Sequence, residues 1–194
     1  MAMTLQDITS TLRLTLRQPR QAARVVIGWP LSSGERWTVL ALMAVASTLS
    51  AEVFVALAPE GADPAMAMLL GNPVAFAAMQ FGGLALMAGL IFAVGRRFGG
   101  TGGFADGLAI LGWLQVILVA LQLAQIIAMA VLPQLAVVIG LASLMLTLWL
   151  MPNFIAELHG FRSAFKTFLG MMGSMVGLVL ALSFVLVFVF GVGV

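Results

Sequence analysis

Glu52 lies deep in an apolar stretch, Trp37 to Ala58, where an ionised carboxylate costs about 2.5 kcal/mol or more. Thr48 stands one helical turn before it and Ala44 two turns before, so these groups share a face expected to turn toward other helices. Such a carboxyl can serve as a proton or cation site. The plainer reading, a neutral acid or a side chain reaching headgroup water, is favoured because no second acid or base in another apolar stretch completes a relay. Gln115, Gln122 and Gln125 follow one another by steps of seven and three and form a polar stripe. Amides of this kind can line an aqueous path, but their ordinary role is bonding between helices at about 0.6 kcal/mol each, with Gln80 as a possible partner. The candidate intramembrane polar site is therefore Thr48, Glu52, Gln115 and Gln122. Gly173, Gly177 and Ala181, with Ser174 beside them, make a small-residue ladder. Small side chains at that spacing let backbones approach closely, and a contact inside the bundle is favoured over a dimer contact.

Other chemistries lack their residues. Without cysteine there is no disulfide, thiolate nucleophile or thiolate metal site. The single histidine, His159, has no ligand set at usable spacing around it, and thirteen methionines, Met66 and Met68 included, read as packing. No nucleophile and base pair, HExxH or phosphate loop is present, and Gly99 to Gly103 follow no strand, so they are not a nucleotide loop. Neither an enzymatic activity nor a cofactor nor a metal is expected.

The elements that must position these residues are membrane helices. Hydrophobic residues make up 62% of the 194-residue chain and charged ones 8%, against about 25% charged in a soluble domain. Mean hydropathy is +1.15. The twenty-two residues from Trp37 to Ala58 reach roughly 33 Å as a helix, enough to cross a core of about 30 Å. Further spans are expected at Val74–Val94, Ala105–Leu132, Leu135–Met151 and Thr167–Phe190. Pro152 is expected to end or kink the fourth, and Asn153 to Lys166 to connect it to the fifth. The glycines at 99–103 mark a flexible turn. Asp106 sits at the amino end of the third span, where the helix dipole favours a carboxylate. Before the first span, Leu5, Ile8, Leu12 and Leu16 recur at helical spacing with Arg13 and Arg17 beside them. That pattern fits a helix lying in the membrane surface and equally one packed on the bundle's own loops. Pro19 opens a second short helix through Val26. Nothing here resembles a cleaved signal.

Counted by loop, the nine lysines and arginines fall five before the first span, two between the second and third, and two between the fourth and fifth. The basic loops of a membrane protein face the cytoplasm, so the amino end is expected inside and Val194 outside, with the acidic linker holding Glu60 and Asp63 also outside. Trp37 and Trp149 then lie near the inner boundary. Residues 1–35 form a cytoplasmic amphipathic segment and 36–194 the membrane domain. A surplus of two positive charges says little for nucleic acid, and none is expected as a partner.

The stretch from Val94 through Arg96, Arg97, Gly99 and Gly100 to Phe104 resembles the loop between the second and third spans in the Yip family, the Ypt-interacting membrane proteins. Trp149, then Asn153 to Phe161 with Glu157, His159 and Gly160, followed by Arg162, Ser163 and Lys166, is similar to that family's approach to its last span, and Pro19 to Arg24 resembles short prokaryotic members. The resemblance covers nearly the whole chain. It implies an all-α bundle of five spans with a cytoplasmic amino end, and the charge count reaches the same orientation independently. Eukaryotic relatives with longer polar arms are linked to vesicle traffic and small GTPases; the arm here is short, which does not favour that partnership. The expected protein is a non-enzymatic one of the prokaryotic inner membrane, a scaffold that binds lipids and other membrane proteins or itself through Arg96, Arg97, Gly99, Gly100, Glu157, His159, Gly160, Arg162 and Lys166. A small transporter using Glu52 is the alternative.

Overall fold

A computed structural model describes residues 4–57, 70–188 and 191. The linker with Glu60, Asp63, Met66 and Met68 lies outside the described residues, as do Phe190 and Val194. Seven helices are described: α1 (Leu5–Arg17), α2 (Pro19–Ile27), α3 (Ser33–Leu57), α4 (Pro73–Arg97), α5 (Phe104–Val131), α6 (Pro133–His159) and α7 (Ala164–Phe188). Helices α3 to α7 contain stretches long and apolar enough to cross a membrane.

Local chemistry explains where the helices begin. Thr4 and Asp7 cap α1 reciprocally, Asp7 N donating to Thr4 Oγ1 at 3.2 Å and Thr4 N donating to Asp7 Oδ2 at 2.8 Å. Asn72 Oδ1 takes the Ala75 N–H at 3.0 Å at the start of α4. Pro19, Pro73 and Pro133 stand in first turns, where a missing N–H costs nothing. Two helices end alike: Gly99 and Gly160 take left-handed φ of 83° and 71°, and Gly100 N and Phe161 N each reach back five residues, to Gly95 O and Ala156 O, at 2.8 Å. Those bonds close otherwise orphaned carbonyls of α4 and α6.

Arg36, early in α3, pairs with Asp106, early in α5, at 2.9 Å. Helices α3 and α5 therefore start at one end and run parallel, while α4 and α6 run back the other way. That end gathers all nine basic residues and is called the basic end below. Helix α5 is the hub, packed on both α3 and α6. Its first three turns are almost wholly buried from Gly107 to Leu114, together with Leu40, Leu150, Phe154 and the α2 residues Ala23 and Val26. The core is thus concentrated at the basic end. Farther along, leucines and valines such as Val53, Val137, Leu144 and Val179 are exposed, as expected of surfaces solvated by lipid.

Four expectations change. Pro152 does not end its helix: α6 continues to His159, so the connection to α7 shrinks to Gly160–Ser163. The Asn153 amide donates to Trp149 O at 2.7 Å across that turn, helping the helix through. The flexible turn at 99–103 is instead a tightly fitted one, for reasons given below. On α1 the packed face is Ile8, Thr11 and Thr15, the two threonines being 3% and 0% exposed, while Leu12 and Leu16 are 38% and 54% exposed. The leucine stripe lies on the outer shoulder because Thr15 Oγ1 accepts the Trp113 indole N–H at 2.9 Å, which turns the threonines inward. Finally, among the described residues Gly173 and Gly177 make no internal contact. A Cβ at either would meet nothing within 4 Å, and Ala181 is exposed; α7 packs chiefly on α6.

Candidate functional site

His159 ends α6 with its side chain 2% exposed. Its Nδ1 accepts the Gly102 N–H at 3.3 Å, and its Nε2 lies 3.0 Å from Ile91 O. An accepting Nδ1 carries no proton, so the ring is the neutral tautomer that donates from Nε2. His159 O also accepts the Thr101 N–H at 3.3 Å. One residue thus joins the end of α4, the following loop and the end of α6. The fit requires glycine: a Cβ on Gly95 or Gly100 would overlap the imidazole, and one on Gly102 would fall 2.6 Å from Leu158 Cγ. Phe161 stacks on the ring at 5.5 Å between centroids. His159 lies past the apolar run that ends at Met151. Burial pushes it below the ordinary imidazole value, the Ile91 bond opposes that, and the nearby Arg96 charge adds to it.

Glu157, two residues earlier, is 13% exposed and accepts from two arginines of α2, Arg20 at 3.2 Å and Arg24 at 2.6 Å. Arg20 also donates to the Phe161 and Arg162 carbonyls at 2.7 and 3.1 Å. Helix α2 is therefore clamped across the α6–α7 turn. With the Trp113–Thr15 bond holding α1, both leading helices form a floor under the bundle. Arg96, Arg97, Arg162 and Lys166 stay exposed around it. Of the expected loop residues, Gly100, Glu157, His159 and Gly160 are built into this latch with Arg20, Arg24, Gly95 and Gly102. Arg20 and Arg24 were legible as an i, i+4 pair facing one way, but their acceptor, more than 130 residues away, was not.

Within the apolar region the glutamines meet on a residue the sequence did not single out. Gln80 Nε2 and Gln122 Nε2 both donate to Ser47 Oγ, at 3.3 and 3.1 Å, tying α4 and α5 to α3. Thr48 donates to Ala44 O at 2.9 Å rather than to Glu52. Gln115 is half-buried, and Gln125 abuts Gly140 of α6. Glu52 Oε1 and Gln122 Oε1 are buried with no hydrogen-bond partner among the described residues. Each follows its member of the Arg36–Asp106 pair by sixteen residues, which places them near one level on the parallel helices. Among the described residues no cluster of three or more metal-ligating side chains occurs.

Neither a curated protein nor a solved structure matches the chain. The family comparison does match, to the Yip1 domain, over residues 13–192, a span that runs from the middle of α1 past the end of α7 and takes in the latch. The five apolar helices and this match together show that the chain is an integral membrane protein belonging to the Yip1 domain family.

Proposed function

We propose that the protein is a non-enzymatic membrane scaffold whose working surface is the basic end of the bundle, turned toward the cytoplasm in a prokaryotic inner membrane. One observation carries this reading: the basic end is built as a floor, latched by His159 and Glu157 and rimmed by exposed Arg96, Arg97, Arg162 and Lys166. Short basic loops favour the cytoplasmic side, and anionic headgroups there attract arginine and lysine. Helix α1 adds an anchor, because exposed Leu12 and Leu16 can enter the interface while Arg13 and Arg17 stay at phosphate level. Residues 1–35 act as the floor and 36–194 as the membrane domain. Partners are lipids and other membrane proteins, a second copy included through the open Gly173–Gly177–Ala181 face of α7.

Photo-crosslinking residues placed at 97, 162 and, as a lipid-facing control, 144 test the proposal in native membranes. Protein adducts at 97 and 162 that disappear when Arg96, Arg162 and Lys166 become glutamine support it; equal capture at all three positions refutes it. A second reading, a small transporter, is favoured by the unpartnered oxygens of Glu52 and Gln122. Solute or proton flux in proteoliposomes that vanishes in Glu52→Gln would establish it over the scaffold.

A further inference from the structure

We propose that His159 is a proton-operated catch: when its ring takes up a second proton, the 99–103 loop comes free of α6 while the helices beside it stay packed. The device does not depend on what the basic end binds. It follows from the pairing at the ring. Gly102 N is a donor 3.3 Å from Nδ1, and Ile91 O is an acceptor 3.0 Å from Nε2. A neutral imidazole has one acceptor and one donor and matches this pair; an imidazolium has two donors and no acceptor and does not. Protonation therefore sets Nδ1–H against Gly102 N–H, two buried donors at hydrogen-bond distance.

Neither donor can retreat within the closed form, because the ring fills the space where a Cβ of Gly95 or Gly100 would lie. Among the described residues, both hydrogen bonds from the loop to α6 end on His159, one at Nδ1 and one from Thr101 N to its carbonyl. Losing the ring's place thus loosens the loop as a unit. The helices are held elsewhere, α6 on α5 through Leu150 and Phe154 and α2 through Glu157. The charges around the ring do not compensate a cation. The acids of α5 and α6, Asp106 and Glu157, are already paired, with Arg36 and with Arg20 and Arg24 of α2. Helix α4 contributes Arg96 and Arg97, the α6–α7 turn Arg162 and α7 Lys166, all exposed and positive. Phe161, stacked on the ring, attracts a cation through its face but supplies no acceptor for Nδ1–H. Burial above all, with the Arg96 charge added and the Ile91 bond opposing, holds the closed ring below the ordinary imidazole value of 6.5. A freed loop returns the ring to water and to that ordinary value. The closed form is therefore complete above about pH 6.5 and gives way as pH falls. The chain has no second histidine, the side chain whose ordinary charge change falls in this range.

Hydrogen–deuterium exchange of the full-length protein in proteoliposomes, at pH 7.5 and pH 5.0 and corrected for intrinsic exchange, tests the catch. Exchange in 99–103 is expected to rise severalfold at the lower pH, with about thirtyfold as the ceiling that an open-state value near 6.5 permits, while residues 107–114 of α5 change little. His159→Gln removes the titrating group; whatever its absolute rate, its 99–103 exchange is expected to be equal at the two pH values. Nitrogen-15 spectra of the single labelled histidine need no variant. They should show the Nε2–H tautomer at pH 7.5 and the imidazolium emerging over the same pH range in which the loop loosens. A loop that stays protected once the ring is charged, or a ring still neutral at pH 5.0, overturns the proposal. So does a loosening that persists in His159→Gln or that 107–114 share equally.

Discussion

Replacing Gly95 with alanine puts one methyl group where the His159 imidazole now lies. Neither neighbour yields easily: the glycine is in mid-turn of α4 near its end, and the ring is held from two sides by Gly102 N and Ile91 O. Overpacking of this kind costs about 1–3 kcal/mol. If the ring swings away instead, the buried Gly102 N–H loses its acceptor at about 1–3 kcal/mol. Either route destabilises the basic end by about 2 kcal/mol. His159→Ala alone removes the ring and its bonds, at a similar cost, and leaves space beside Gly95. The double variant Gly95→Ala with His159→Ala is therefore expected to be little worse than His159→Ala alone, giving a coupling of about 1–2 kcal/mol in favour of the pair. Denaturant unfolding of the purified protein in detergent, followed by tryptophan fluorescence, measures all four members of the cycle; Trp29 and Trp113 stand against each other in the packed core. An unchanged midpoint for Gly95→Ala, or strictly additive losses, refutes the idea that glycine is there to admit the ring.

Glu157→Gln removes the charge that Arg20 and Arg24 share. A loss of about 1 kcal/mol is expected because both arginines are partly exposed, with faster amide exchange in α2 and little change in α5. Ser47→Ala removes the acceptor common to Gln80 and Gln122; at about 0.6 kcal/mol for each interhelical bond, unfolding should come about 1 kcal/mol sooner, while Ser50→Ala, whose hydroxyl bonds its own helix at Ala46 O, should cost less. His159 is held below the ordinary imidazole value of 6.5 chiefly by burial, so the unfolded chain binds its proton first as pH falls. The latch's contribution is then complete above about pH 6.5 and declines below it. Unfolding midpoints between pH 8 and pH 5 should show this decline in the native chain and a shallower one in His159→Gln.

Much of the architecture is legible without coordinates, because a bilayer constrains a chain more severely than water does. Apolar length alone locates α3 to α7, and Pro19, Pro73 and Pro133 mark helix starts by the φ they impose. Cross-helix use of Gln122 follows from the scarcity of donors and acceptors in an apolar medium, and the structure agrees. The identity of the shared acceptor does not follow, since Ser47 is one of several hydroxyls on α3 and only the crossing of three helices selects it. Periodicity also left α1 undecided. Its leucines fit a face in the membrane surface or one packed on the bundle, and they end exposed because one indole N–H on α5 requires an oxygen, which Thr15 supplies.

Sequence alone determined the number of crossings, their order and the gathering of positive charge at one end, all of which depend on local composition and on the energy of leaving water. Tertiary structure decided which residues meet. Gly100 and Gly102 read as part of a flexible turn until His159, more than fifty positions later, is seen filling the room they leave, while Gly173 and Gly177 read as a close contact until α7 is seen, among the described residues, to have no neighbour there. Glycine spacing is the same local signal in both cases. What it permits, a near approach, becomes a contact only where another element occupies the space, and long-range packing alone settles that.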